Sequence, residues 1–211
     1  MPSSASGPAT RMLLVRHGQS EWNAAGRWQG QADPPLTTLG REQAFQAAQR
    51  VGTVDLIVCS DLERAVDTAM VLSEMLGVGP VAIDPRLRER DAGAYSGLTR
   101  DEIDVAFPGY LDERREPPGW EPDDVLLARV HACLADIAAQ YPGAEVVVVT
   151  HGGCVYAIEK EHGVPFERLP NLAGRWLDHR GLHTDGSPLV SLGDRITLVD
   201  DELSTTVPQQ I

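Results

Sequence analysis

The chain has 211 residues, 42% of them apolar, enough for one domain with a sizeable core. Eighteen Lys and Arg against 31 Asp and Glu leave a net charge of -13, which argues against nucleic acid or an anionic membrane as the main partner. An anionic small substrate would need a local basic pocket in this acidic protein.

Residues 1–10 have neither the charged start nor the apolar middle of a signal peptide and are expected to form a disordered lead-in, followed by a single domain over 11–211. Leu13-Leu14-Val15 reads as a buried strand that ends on Arg16-His17-Gly18. A polar, Gly-bearing loop from Asn23 to Pro35 leads to a helix opened by Thr37 and running through about Arg50. Asp55 to Cys59 is the next strand. Ser60 and Glu63 then have capping-box spacing and launch a helix that carries Arg64 in its first turns and stops at Gly77. Val81-Ala82-Ile83 predicts a short third strand, and Leu87 to Gly93 a loop too charged to be buried without partners. Thr99 to Phe107 predicts a short helix and Pro108 to Pro122 an irregular excursion, together a lid-like insertion around 99–122. Asp123 to Gln140 is a helix with Val125, Leu126, Val130, Leu134 and Ile137 on one face. Val146 to Thr150 reads as a second buried strand ending on His151-Gly152-Gly153, with a helix over Val155 to His162 behind it. A loop-rich stretch follows, in which Asp178 to His183 reads as solvated loop, and Arg195 to Val199 is a last strand.

Strands alternating with helices place the chain in the α/β class, with a mostly parallel sheet, helices on both faces and the Ile196 strand as an antiparallel edge. In such sheets ligands bind at the carboxyl ends of the strands. His17 and His151 would then meet in one crevice, with Arg16 beside the first and Arg64 just past a third strand end. Cys59, Cys133 and Cys154 are an odd set without CxxC spacing, which suits a reducing cytoplasm. Cys154 reads as a small buried hydrophobe on a helix's first turn. No apolar run approaches the roughly 18 residues of a membrane span.

A phosphoryl group spreads negative charge over several oxygens and is held by forked cationic donors, the role open to Arg16 and Arg64. A histidine can take that group from an ester and hold it as phosphohistidine while the second histidine and the arginines stabilise its equatorial charge. Glu89 is placed to protonate the leaving oxygen and later to deprotonate an attacking water. Taken singly, His17 reads as a polar strand cap, His151 as a buried histidine satisfied by a carbonyl, and Glu89 as a solvated carboxylate. Their conjunction with two arginines points to chemistry. No HExxH, paired-Cys or carboxylate-rich cluster accompanies the histidines, so neither a metal nor another cofactor is expected.

Arg16-His17-Gly18-Gln19-Ser20-Glu21-Trp22-Asn23 resembles the signature of the histidine phosphatase superfamily, in its phosphoglycerate mutase-like branch. Further blocks fall in that family's order: Gln29-Gly30, Pro35-Leu36-Thr37, Cys59 to Ala65, Leu87-Arg88-Glu89 and Thr150-His151-Gly152-Gly153. The resemblance implies a three-layer α/β/α sandwich and a phosphohistidine on His17. It implies that Arg16, Arg64 and His151 bind the phosphoryl group, with Asn23 and Gly152 in the same pocket, and that Glu89 is the proton donor. The chain departs from the family at Gly119-Trp120-Glu121-Pro122, where many members carry Gly-Glu-Ser.

The stretch from Glu89 to His151 is shorter than mutases of this family usually carry, which favours a phosphatase acting on a small phosphomonoester. A phosphoglycerate mutase is the alternative, suggested by Glu89-Arg90 and by Arg114-Arg115 before Pro117-Pro118. The arginine pair, flanked by Asp112, Glu113 and Glu116, otherwise reads as solvent-facing. A non-catalytic phosphate-binding module is the third reading. The expected partner is a small phosphorylated metabolite, and a homodimer is left open.

Overall fold

The computed structural model describes residues 8–205. Most of the lead-in expected over 1–10 lies outside them, but Thr10 does not belong to it: it opens β1 (Thr10–Arg16), and its buried hydroxyl donates to the Tyr141 carbonyl at 2.9 Å. Ser20 then caps a single-turn α1 (Glu21–Ala24), whose last two residues overlap the start of the loop expected from Asn23. The helix α2 (Thr38–Val51) starts on a Thr37 cap, as its sequence indicates. After β2 (Leu56–Cys59) comes α3 (Glu63–Leu76), closed by Gly77 in the left-handed region.

The capping box expected at Ser60 and Glu63 does not form. Ser60 Oγ accepts from Leu62 N–H at 3.3 Å, and the helix starts on Leu62, which makes no side-chain cap bond. The N–H of Glu63 finds Asp33 Oδ1 at 2.7 Å instead, so a carboxylate from another segment satisfies the helix end.

The edge strand β3 (Ala82–Ile83) precedes α4 (Arg100–Ala106), on which Thr99 and Glu102 do form a capping box. Next come α5 (Asp123–Gln140), β4 (Glu145–Thr150) and α6 (Gly152–Glu161). The expected inward face of α5 holds for Leu126, Val130, Leu134 and Ile137, but Val125 is exposed. The chain ends in a hairpin, β5 (Ala173–Leu182) and β6 (Pro188–Thr197). The solvated loop expected over Asp178 to His183 is thus largely strand. β5 runs antiparallel to β1, pairing Thr10 with His179 and Val15 with Gly174, and Leu177 and His179 are buried while Asp178 and Arg180 between and beyond them are not. Asp178 and Arg180 occupy the outward positions of a two-residue alternation, while Arg175, on the face of Leu177, pairs with the buried Glu159 at 2.8 Å.

The sheet has strand order β3-β2-β4-β1-β5-β6. Its first four strands are parallel and the last two antiparallel, so the late edge strand is β6. Met12 to Val15 in β1 and Val146 to Val149 in β4 are unbroken apolar runs because both faces are covered. Leu13, Val15 and Val147 pack against Ala47, Ala65 and Leu72 of α2 and α3. Met12, Leu14 and Val148 pack against Leu134 of α5 and Ile158 of α6. These are the three layers. The region expected to be a lid carries a core of its own, in which Ala92, Tyr95 and Ile103 gather Trp28, Phe107, Tyr110 and Trp120.

Candidate active site

β1 and β4 are parallel neighbours in register, with Arg16 opposite Thr150, so the residues that follow leave the sheet together. The N–H of His17 donates to the Thr150 carbonyl at 3.0 Å, and the His17 and His151 ring centroids lie 5.1 Å apart. Both side chains are buried, at 2% and 0% exposure. The turn after His17 is fixed by a close approach. A Cβ on Gly18 would lie 2.4 Å from the Gly40 carbonyl oxygen, so only glycine lets the His17 loop pack on the start of α2.

His17 has one available nitrogen. Nδ1 lies 2.6 Å from the Gly18 carbonyl, which can only accept, so Nδ1 carries the proton. Nε2 keeps its lone pair and accepts from Arg64 Nε at 3.1 Å. Burial, with Arg64 and Arg16 adding to it, holds the imidazole pKa well below its usual 6.5. Burial, then Arg64 and His17, depress His151 in the same way. Both rings are therefore neutral at neutral pH. Neither nitrogen of His151 has a hydrogen-bond partner among the described residues.

Arg64 stands at the amino end of α3, fully buried. Beyond His17 it donates through Nη1 to the Ala32 carbonyl at 2.8 Å and through Nη2 to the Gly30 carbonyl at 2.9 Å. Burial lowers its pKa to about 10, which leaves it a cation. Arg16 donates through Nη1 to the Leu169 carbonyl at 2.7 Å, while its Nε is buried with no partner among the described residues. Two fixed cations thus flank a neutral, tautomer-locked imidazole, an arrangement that attracts an anion and leaves a nucleophile unprotonated.

Glu89 reaches the same place from the charged loop. Its Oε1 accepts from Arg90 N–H at 2.7 Å and its Oε2 from Gly153 N–H at 3.1 Å. A Cβ on Gly153 would lie 2.2 Å from Glu89 Oε1, so the second glycine after His151 makes room for this carboxylate. Asn23, in the cap of α1, turns Oδ1 to Ser20 N–H and to Asn171, and its buried Nδ2 has no partner among the described residues. Cys154 is buried with Sγ 3.2 Å from the Arg88 carbonyl, and desolvation pushes its pKa up to about 12, as befits a packing residue.

A cavity of about 720 Å3 opens above His17 and is lined there by Arg16, Glu89 and Gly152. Arg64 and His151 adjoin His17, fully buried, and are not among the residues that line the cavity. Trp28, Tyr95 and Trp120 form one wall, and Tyr156 with Phe166 another, their rings 5.0 Å apart. Arg114 and Arg115, expected to face solvent, are exposed and also line the mouth. All five principal candidates, Arg16, His17, Arg64, Glu89 and His151, converge as the sequence indicates.

Three contributions escape sequence reasoning. Asn171 donates to the His17 carbonyl at 2.9 Å across 154 positions of chain. Arg129 binds the carbonyls of Arg86, Arg88 and Glu89 and pairs with Glu121 at 2.7 Å, so it shapes the Glu89 loop. The aromatic wall is the third. The signal for Arg129 was its partner, Glu121, in the segment that departs from the family pattern.

A neutral imidazole, paired cations and a carboxylate beside one cavity suit an enzyme that handles phosphoryl groups. The sequence pattern of the histidine phosphatase superfamily (branch 1) matches residues 12–179. A glucosyl-3-phosphoglycerate phosphatase of Mycolicibacterium vanbaalenii is 40% identical over 199 residues, covering 84% of this chain and 88% of the relative. A metal-independent phosphoserine phosphatase of Arabidopsis thaliana is 38% identical over 159 residues, 71% of this chain and 67% of that one. Among solved structures, a mycobacterial glucosyl-3-phosphoglycerate phosphatase in complex with VO3 superposes with a TM-score of 0.77 at 35% identity, covering 88% of this chain and 98% of that one. The chain belongs to the histidine phosphatase superfamily, branch 1, and is a phosphoric monoester hydrolase. Among the described residues no helix is long and apolar enough to cross a membrane.

Proposed function

We propose that the protein hydrolyses a small phosphomonoester through a phosphohistidine on His17, with Glu89 as proton donor and without a metal or other cofactor. The observation that carries this reading is the locked tautomer of His17, which aims a neutral Nε2 into a cationic pocket. The Nε2 lone pair attacks phosphorus as the ester P–O bond breaks, and the leaving oxygen takes the proton of the Glu89 carboxyl. The Arg64 Nε–H that Nε2 accepts in the free enzyme turns to an equatorial oxygen as the P–N bond forms. Arg16, His151 and Asn23, whose unpartnered nitrogens are already buried, stabilise the same oxygens. Glu89, now a carboxylate, takes a proton from water; the oxygen of that water attacks phosphorus, the P–N bond breaks, and inorganic phosphate leaves with Nε2 regenerated.

The cavity exceeds what a phosphoryl group fills, and its aromatic and arginine walls suit a leaving group with a sugar face or a carboxylate. Glucosyl-3-phosphoglycerate, named for the mycobacterial relatives, is the first substrate to test. The three free cysteines support a reducing, cytoplasmic setting. A mutase reading is favoured by Arg114 and Arg115 at the mouth, and primer-dependent isomerisation of phosphoglycerate is its test.

Incubation with labelled ester in EDTA, followed by a rapid quench, is expected to leave acid-labile, base-stable label on His17. His17→Ala is expected to lose turnover with an unchanged circular dichroism spectrum. Label on another side chain, or substantial activity in that variant, overturns the mechanism.

A further inference from the structure

Behind the nucleophile loop lies a chain of polar side chains whose hydrogen-bond direction is fixed at every link. The N–H of Gln19 donates to Gln43 Oε1 at 2.8 Å, which orients that amide. Gln43 Nε2 then donates to the Leu203 carbonyl at 2.6 Å and to Thr205 Oγ1 at 2.8 Å. A hydroxyl that accepts from one side sends its own proton to the other, and Thr205 Oγ1 donates to Asn171 Oδ1 at 3.1 Å. With Oδ1 so engaged, Asn171 Nδ2 faces the His17 carbonyl at 2.9 Å and Asn23 Oδ1 at 3.2 Å. Asn23 Oδ1 also accepts from Ser20 N–H at 3.3 Å. The free end of the Asn23 amide is therefore Nδ2, buried and without a partner among the described residues.

We propose that Gln43, Thr205 and Asn171 are positioning residues that, with the Ser20 N–H, set which end of the Asn23 amide meets the phosphoryl group, so that it offers N–H donors and not an oxygen. The proposal rests on the reading of Asn23 as part of the phosphate pocket. Turned the other way, the amide sets an acceptor against anionic oxygens. The segment that carries Thr205 is tied to α2 and to the turn before β5. The N–H of Asp200 donates to Gln46 Oε1 at 2.8 Å, and the N–H of Asn171 to the Thr205 carbonyl at 3.1 Å. The residues after β6 thus brace the back of the nucleophile loop and give it a polarity.

Inorganic phosphate titrated calorimetrically into the full chain tests this without turnover. Thr205→Val keeps the shape and removes the link, and phosphate affinity is expected to fall about tenfold, the cost of one misdirected donor to a charged oxygen. Thr205→Ser restores the affinity. In an Asn23→Ala background Thr205→Val has no further effect, because its influence passes through Asn23. If Thr205→Val does not fold, Gln43→Glu serves in its place, since it keeps the acceptor for Gln19 and removes the donor to Thr205. Unchanged affinity in the variant that folds, additive losses in the double variant, or an Asn23→Ala variant that binds phosphate like the wild type overturns the proposal. Absence of label on His17 overturns the mechanism and leaves this coupling standing.

Discussion

Beneath the floor of the cavity, Arg64 serves three acceptors at once, His17 Nε2 and the Ala32 and Gly30 carbonyls, with no exposed surface. At its mouth, Arg115 pairs with Glu113 at 2.5 Å, and both side chains are 57% exposed. The same residue type is thus an architectural part in one place and an adaptable contact in the other. Where water is excluded, each donor has one geometry and its loss strands an acceptor; where water is present, solvent takes over. We expect the floor to fix the reaction and the mouth to select what the reaction is performed on.

The comparison is tested most severely at Arg64. Arg64→Ala leaves the buried Gly30 carbonyl and the half-buried Ala32 carbonyl unpaired and removes the donor to Nε2. We expect kcat to fall about 1,000-fold, as for loss of a principal anion-stabilising group. Stability should drop by about 3 kcal/mol for the unpaired carbonyls. Arg64→Lys should not rescue it, because one ammonium cannot replace a planar fork aimed at three acceptors. Steady-state kinetics with urea unfolding check both parts, and a variant within tenfold of the wild type removes Arg64 from the floor.

Gly153→Ala comes next. Its Cβ would lie 2.2 Å from Glu89 Oε1 and displace the carboxylate. General acid catalysis matters most where the leaving group is a poor one. We therefore expect a loss of about 100-fold for alkyl phosphates and a much smaller one for p-nitrophenyl phosphate. Equal losses on both substrates count against Glu89 as the donor.

The buried histidines make a prediction in pH. In the folded chain His17 and His151 are held neutral by burial and by the neighbouring arginines, whereas in the unfolded chain they bind protons below their usual 6.5. The unfolded state then carries more protons, so the stability these groups contribute is present above 6.5 and is lost as pH falls below it. Each costs about 1.4 kcal/mol per pH unit in that window. Urea midpoints between pH 7.5 and 5.5 should decline more steeply for the wild type than for His17→Asn. Parallel declines would mean that His17 protonates freely in the native state.

Much of the floor is legible in the sequence because its signals are local. Leu13 to Val15 and Val146 to Val149 are unbroken apolar runs, and a parallel sheet places their ends together. Glu89 stands in a loop whose charge required partners. What escaped is held by distant pairings that leave no periodicity. Asp33, not Ser60, satisfies the start of α3, and Asn171 reaches His17 from the far end of the chain. Arg129 is one polar position on an amphipathic helix until the fold brings the 86–89 carbonyls to it. β5 was hidden because Arg175, Asp178 and Arg180 obscure an alternation that its pairing with β1 makes plain.

The smallest expected effect lies at the mouth. Arg115→Ala removes an exposed cation whose pairing with Glu113 contributes little to stability, so the melting temperature should stay unchanged. Because Arg115 lines the cavity, we expect it to meet the part of a substrate that projects beyond the phosphoryl group. KM for a carboxylate-bearing phosphomonoester such as glucosyl-3-phosphoglycerate should rise about fivefold, the worth of one solvent-exposed charge contact, with kcat retained. Kinetics on p-nitrophenyl phosphate, which has no carboxylate, should move less than about twofold, within the scatter of such exposed contacts. A matched fall in kcat on both substrates would show Arg115 acting on the floor, and the division between a part that does chemistry and a part that chooses substrate would fail.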